Sequence, residues 1–479
     1  MTAAWIERAL RQSSLAALAG LAVHYLVSLF TGAPLWTDAI AEWIMARTPS
    51  GAALWILDTF GAWAKPLAAT GGLATIGFAL FLPAAAFLRR RQVGLVLLAL
   101  MPFALGWLFD YHSAPGQWSF WLPAAGALIA LLSGKPSAPS PARRAFLGSL
   151  MAAGTAAVAV ESWGRDRALA RRAVEPVELF PFSPPGDRSA FGQGLVRRPV
   201  TMVGQHYVMS KNTVDPVLDP NVWRLRISVD GRAARQVSYQ ELLALPREER
   251  WVTLRCVSNT LKTDLMGTAL WSGVKLSQLI DRTRLPKDVL EVAFIGVDGH
   301  GDSVPVDYAF SEEVLLAVGM NGKTLNRSHG FPVRLLVPRY YGFKNVKWIG
   351  EIAFVRQPYF GTWPRMGYTK EPLIHTMSFI DRFRVEPERI RLGGVSFAGT
   401  RGIRQVEVRT EGGLWTPATL EAPLSPYAWT RWVAEVPARN GARLIEARAM
   451  DGSGRWQATE EGPLFPDGVK GPTFRKIVS

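Results

Sequence analysis

The pattern of apolar and polar positions divides the chain into parts with different periods. Five runs contain no Asp, Glu, Lys or Arg: 12–37, 66–88, 92–109, 111–134 and 145–160. A membrane-spanning helix needs roughly 20 apolar residues, with about 17 tolerated. The first four runs qualify and the fifth sits at the limit. The segment 48–64, interrupted by Asp58 and carrying Trp55 and Trp63, reads instead as an interfacial helix. Arg89–Arg91 fall between the second and third runs, and Lys135, Arg143 and Arg144 between the fourth and fifth. Positive loops stay in the cytoplasm. Five spans therefore leave everything after about residue 163 on the outer face of the cytoplasmic membrane. Loss of the fifth span would reverse that.

Beyond the spans the period shortens to two. Residues 164–200 are rich in Arg, Pro and Gly and read as a linker or a surface-wrapping segment. "WRLRISVDG" (223–231), "RWVTLRCVS" (250–258), "LEVAFIGVDG" (290–299) and "FPVRLLVP" (331–338) read as strands. "SYQELLAL" (238–245) and "VKLSQLIDRT" (274–283) read as short helices. In the tail, "IRQVEVRTEG" (403–412), "WTRWVAEVPA" (429–438) and "GARLIEARAMDGSG" (441–454) alternate between Gly-rich turns, the pattern of an antiparallel β-sandwich. The organisation expected is an α-helical membrane module over 1–165, a linker over 166–200, an α+β domain over 201–372 and a β-sandwich over 373–479. Such a sandwich suggests a homodimer without requiring one.

Charge and cysteine usage narrow the chemistry. The net charge is +15, and 1–142 contributes only 8 Lys and Arg against 5 Asp and Glu, so +12 lies beyond. That excess favours an anionic ligand or anionic lipid. With no zinc-finger, helix-turn-helix or RNA-binding signature, nucleic acid is not expected as a partner. The spans offer no pair of facing histidines, so no haem is expected. "ARRAFLGSL" (142–150) fits a twin-arginine export signal and, equally, a positive-inside anchor.

One cysteine among 479 residues excludes an intrachain disulfide. Cys256 ends a strand-like run and enters the turn "VSNT", a place from which a side chain can face a site. A free cysteine is also often a small buried hydrophobe. As a thiolate it is a nucleophile or a soft metal ligand. A hydrolase would draw its base from His206, His300, His329 or His375. Zinc sites usually use several thiolates at short spacing. The residues alone leave these alternatives open.

The ordered strings "CVSNTLKTDLMGTALWSGVKLSQLI" (256–280), "FIGVDGHGDSVP" (294–305), "LLAVGMNGKTLNRSHGFPVRLLVPRYYGFKNVKWIGEI" (315–352) and "GGLWTPATL" (412–420) resemble the sulfite oxidase family of molybdopterin enzymes over about 200–460. The resemblance implies a molybdopterin-binding α+β domain followed by an immunoglobulin-like sandwich. It implies a molybdenum–pyranopterin cofactor whose metal is bound by Cys256. It implies cofactor contacts from Asp298, His329, Arg334, Asn345, Val346 and Lys347, and from Tyr207, Lys211 and Asn212 in the upstream segment. Animal members carry Arg-Asn-His in that segment, and this chain does not.

Two departures bear on substrate. Sulfite-oxidising members place arginines after the Asn of the cysteine loop, where this chain has Thr260, Leu261 and Lys262. Arg255 alternates with Cys256 and should point to the opposite side. A family tyrosine near the metal is matched here by His300, a candidate proton or hydrogen-bond donor in catalysis. The implied activity is two-electron oxygen-atom transfer on a small sulfur-containing or oxyanion substrate, with electrons exchanged with a separate quinone or redox protein. The competing class is a non-catalytic membrane-anchored binding protein that keeps the fold. Cys256, His329, Arg334 and Lys347 together count against it.

Overall fold

The computed structural model describes residues 173–476, apart from 187–190, 192–193, 212–214, 260–263 and 439–442. The five charge-free runs, Arg143, Arg144, Asn212 and Thr260–Lys262 lie outside the described residues. Among the described residues no helix is long and apolar enough to cross a membrane. The chain divides into two units, and the elements below all belong to the unit formed by 172–210 with 215–479.

Two sheets build the α+β part. The first has the order β2–β1–β10–β5–β6, from β1 (Arg224–Val229), β2 (Arg232–Ser238), β5 (Glu291–Gly296), β6 (Gly301–Pro305) and β10 (Ile349–Val355). Its β1–β10 pair is parallel and the rest antiparallel. The second has the order β3–β4–β7–β8, from β3 (Glu248–Arg255), β4 (Met266–Val274), β7 (Leu315–Met320) and β8 (Lys323–Thr324), with β9 (Arg334–Leu336) also paired to β7. Leu225, Ile227, Val252, Leu254, Trp271, Phe294, Leu316 and Ile352 pack between them in one apolar core. That arrangement follows from the period-two pattern, because alternate side chains of each strand share a face.

The helix expected at 238–245 is α1 (Tyr239–Ala244). Ser238 and Glu241 form a capping box at its start, an arrangement of about 1 kcal/mol. The helix expected at 274–283 is instead two 3-10 turns, Leu276–Gln278 and Arg282–Arg284. The Asp281 side chain accepts from the Thr283 amide, and such local bonds compete with helix propagation. Two further short helices are α2 (Val306–Ala309) and α3 (Thr362–Arg365).

The tail is a sandwich of two four-stranded sheets, β11–β12–β16–β15 and β14–β13–β17–β18. The strands are β11 (Met377–Val385), β12 (Arg389–Phe397), β13 (Ile403–Thr410), β14 (Thr416–Pro417), β15 (Thr419–Leu420), β16 (Thr430–Pro437), β17 (Leu444–Asp451) and β18 (Thr473–Lys476). Ile380, Leu392, Val406, Val408, Trp432 and Ile445 form their shared core. The described part of the expected linker wraps both domains. Val177 exchanges hydrogen bonds with Thr324, and Arg197 is bonded to Asp381 of the sandwich.

Candidate active site

Cys256 follows β3 directly. Its amide donates to the Leu265 carbonyl at 2.9 Å, which extends the β3–β4 ladder one step. Asn259 then closes the turn: its amide donates to the Cys256 carbonyl at 3.1 Å, and its side-chain oxygen accepts from the Leu265 amide at 2.8 Å. The thiol is 9% exposed and lies 3.2 Å from the Ser258 hydroxyl. Arg255 points the other way, as strand alternation requires. Its guanidinium donates to the carbonyls of His375, Asn259 and Val469 and lies over the rings of Tyr341 and Phe379. It is fully buried at the sandwich and so does not supply an oxyanion-binding cation on the Cys256 side.

Two tyrosines lie close enough to the thiol to feel its charge. Burial, and then the neighbouring Cys256, push the Tyr207 hydroxyl far above its ordinary value, while Arg334 pulls it back. Tyr368 is raised by the same two causes. Both hydroxyls therefore stay protonated across the physiological range and are able to donate. Tyr207 packs so tightly against Gly342 that a Cβ there would fall on its hydroxyl. Tyr368 sits in an aromatic cluster with Phe343, Trp363 and Phe465. Sequence reading missed Tyr368, whose only local signal is its place in the aromatic-rich stretch 359–368.

Arg334 begins β9 and is buried. It donates to the His329 carbonyl at 3.2 Å and the Asn345 carbonyl at 3.3 Å, and lies over the Trp271 ring at 5.0 Å. Its Nε has no partner, and among the described residues no carboxylate pairs with it. Burial lowers its pKa to about 10, with Tyr207 opposing. His329 and His206 meet edge to face at 5.4 Å. Burial lowers His329 to about 4, and burial with the His329 and Arg334 charges lowers His206 to about 3. His206, which the sequence offers only as a hydrolase base, is not among the expected cofactor contacts. Lys347 donates to the Ser210 hydroxyl at 2.7 Å and the Ser328 carbonyl at 2.9 Å. Cys256, Tyr207, Arg334, His329 and Lys347 are thus drawn into one basic, largely buried cluster.

The other sequence candidates are placed differently. The Asn345 side chain serves the fold, accepting from the Val337 amide and donating to the Tyr341 carbonyl. Val346 is a core residue whose amide and carbonyl are both bonded within the protein. Asp298 accepts from the His300 amide in the β5–β6 turn. His300 Nε2 donates to the Phe343 carbonyl at 2.8 Å, so that ring proton is engaged, while its buried Nδ1 has no partner. Lys211 groups with the other unit.

Residues 212–363 match the oxidoreductase molybdopterin-binding domain model. This is a sulfite oxidase-like molybdopterin-binding domain. The chain is 30% identical to mitochondrial sulfite oxidase of Mus musculus over 304 residues, covering 52% of this chain and 56% of that protein. It is 25% identical to sulfite oxidase of Arabidopsis thaliana over 346 residues, covering 58% and 86%. The solved sulfane dehydrogenase SoxCD of Paracoccus pantotrophus superposes with a TM-score of 0.48 at 20% identity, covering 60% and 86%. The chain spans only about half the length of the mammalian relatives it matches.

The site fits the cofactor that such a domain implies, molybdenum held by a pyranopterin. Among the described residues no group of three or more His, Cys, Asp or Glu converges to hold a metal. A metal at Cys256 must therefore bring most of its own donors, as a dithiolene-chelated molybdenum does. Arg334, buried with an orphaned Nε and no carboxylate, asks for an anion such as the pterin phosphate. Cys256 would hold the metal, and Arg334, His329 and Lys347 the anionic and polar parts of the pterin. When bound, the cofactor supplies two-electron exchange coupled to oxygen-atom transfer. The chain's own residues exclude water around the thiol and hold protons on the Tyr207 and Tyr368 hydroxyls.

Proposed function

We propose that this protein is a membrane-anchored molybdopterin oxidoreductase that transfers an oxygen atom to or from a small sulfur-containing or oxyanion substrate. The observation that carries this reading is a lone buried thiol sharing its neighbours with an anion-less buried arginine, inside a molybdopterin-binding domain. Arg255 faces away from the thiol, which removes one candidate for binding a sulfite-like oxyanion and keeps sulfoxide reduction level with sulfite oxidation. Electrons pass to or from a separate quinone or redox protein. The charge-free runs of the first 165 residues support a multi-pass anchor in the cytoplasmic membrane, with the catalytic domain on its outer face.

Metal analysis of the purified full chain, followed by assay against sulfite and methionine sulfoxide side by side, tests this. About one molybdenum per chain is expected for a site with a single protein thiolate. Cys256→Ser should lose both metal and turnover while keeping the wild-type fold by circular dichroism. A Cys256→Ser protein that still turns over would refute the ligand assignment.

A further inference from the structure

We infer that His300 is a positioning residue for Arg334, acting through the Gly342–Lys344 turn, and not the proton donor that its place in the sequence suggests. A neutral imidazole carries one N–H. The Nε2 of His300 lies 2.8 Å from the Phe343 carbonyl. A carbonyl only accepts, so Nε2 holds the hydrogen and Nδ1 is left as an acceptor. The residue is 9% exposed, and its Nδ1 has no partner among the described residues. Donation from Nδ1 would need one of two changes. Moving the hydrogen from Nε2 to Nδ1 sets two acceptors 2.8 Å apart. Adding a second proton makes a buried imidazolium against a turn that already carries the buried Lys344 ammonium, whose carboxylate partner is Asp302. The fold disfavours both, so the ring serves as a fixed donor to the main chain.

That donor is one of two grips on the turn, at successive residues. His300, directly before β6, holds the Phe343 carbonyl. The Asp302 carboxylate and the Ser303 carbonyl, both on β6, hold the Lys344 ammonium at 2.8 and 2.6 Å. The turn is also closed on itself. The Lys344 amide donates to the Tyr341 carbonyl at 3.1 Å, and the Asn345 amide to the Gly342 carbonyl at 3.0 Å. Asn345 then presents its carbonyl to Arg334 at 3.3 Å and its side-chain oxygen to the Val337 amide at 2.9 Å. At the other end of the turn, Gly342 packs against the Tyr207 hydroxyl. A grip at Lys344 alone acts through a long side chain and leaves the turn free to pivot about it. The grip of His300 is on the peptide itself and removes that freedom. The setting of the Asn345 carbonyl, and with it that of Arg334, therefore depends on the His300 ring.

The inference rests on the reading of Arg334 as a contact for the anionic part of a molybdopterin, and two measurements on the full-length chain separate placement from proton transfer. His300→Phe keeps a ring and removes the donor. Its molybdenum content after dialysis should fall at least about tenfold, while turnover per bound molybdenum stays within about threefold of wild type. Amide exchange at Lys344 and Asn345 in the same protein should rise at least about tenfold, as the turn opens more readily. His300→Gln has a terminal amide that reaches about as far as Nε2 and donates without titrating, so it should recover most of both. His300→Asn is too short to reach the carbonyl and should behave as His300→Phe does, and it gives the answer if His300→Phe does not fold. Full molybdenum content, with turnover per molybdenum down about a hundredfold in both His300→Phe and His300→Gln, would make the ring a proton donor and overturn the proposal. Wild-type exchange at Lys344 and Asn345 in His300→Phe would overturn it equally. Wild-type protein without molybdenum refutes the cofactor reading alone, and the exchange contrast then decides whether His300 sets the turn.

Discussion

Lys344 and Arg334 are buried to nearly the same degree, 2% and 6% exposed, and lie ten positions apart in one domain. Their surroundings differ in one respect. Lys344 donates to the Asp302 carboxylate at 2.8 Å and the Ser303 carbonyl at 2.6 Å, which fixes the Gly342–Lys344 turn to β6. Among the described residues, Arg334 meets only main-chain carbonyls and an aromatic face. Burying a charge costs several kcal/mol unless it is paired. In the Lys344 region the fold itself offsets that cost, and the pair is structural. In the Arg334 region the cost stands until an anion arrives. One is a finished piece of architecture, and the other is a buried cation with no carboxylate beside it among the described residues.

The largest test of this contrast is Lys344→Met. It strands the buried Asp302 carboxylate and should destabilise the full chain by about 3–5 kcal/mol in urea unfolding, with Asp302→Leu added to Lys344→Met recovering most of the loss. Arg334→Met should do the reverse. Removing an unpaired buried charge should leave the cofactor-free chain within about 1 kcal/mol of wild type or stabilise it. Molybdopterin retention on dialysis should fall at least about tenfold, the worth of a charge-assisted hydrogen bond. A stability loss in Arg334→Met equal to that of Lys344→Met would erase the distinction.

Titration sharpens the same point. His206 and His329 are held neutral, at about 3 and about 4 against the ordinary 6.5. The unfolded chain therefore takes up their protons first. Their contribution is complete above about pH 6.5 and is lost as pH falls toward 4 and 3, on the order of 2 kcal/mol per ring between pH 6.5 and 5. Urea unfolding of the cofactor-free chain across that range should show the slope, and His206→Gln should flatten it. A bound anionic cofactor should weaken the slope. The smallest effect is expected from Tyr368→Phe: full metal content, unchanged stability, and a fall in kcat of about tenfold to a hundredfold if its hydroxyl donates.

The path from sequence to site explains which features were legible early. The alternation in "RWVTLR" places Cys256 at a strand end and turns Arg255 to the other side, and the structure keeps both. The short helix read at 238–245 is present as α1, and the structure adds the capping box of Ser238 and Glu241, a contact between residues three apart. The string around His329, Arg334 and Lys347 is readable because the residues lie within one short stretch. Val346 and Asn345 come from that same stretch, yet a motif does not say which of its members face a ligand and which fill a core or clamp a turn. His300 shows the same limit, since its ring proton is committed to the Phe343 carbonyl.

What the sequence determined by itself was local: the strand periods, a short helix at 238–245, the succession of an α+β domain and a sandwich, and a single thiol at the mouth of a turn. What only the tertiary structure decided was convergence. Tyr368, His206 and Phe465 come from segments far from Cys256 in the chain, and none carries a motif. They reach the site because sheet order and burial bring separate loops together. Among the described residues, the same burial leaves Arg334 without a carboxylate while giving one to Lys344. A charge's partner is chosen by packing across the chain, and no spacing of residues along it records that choice.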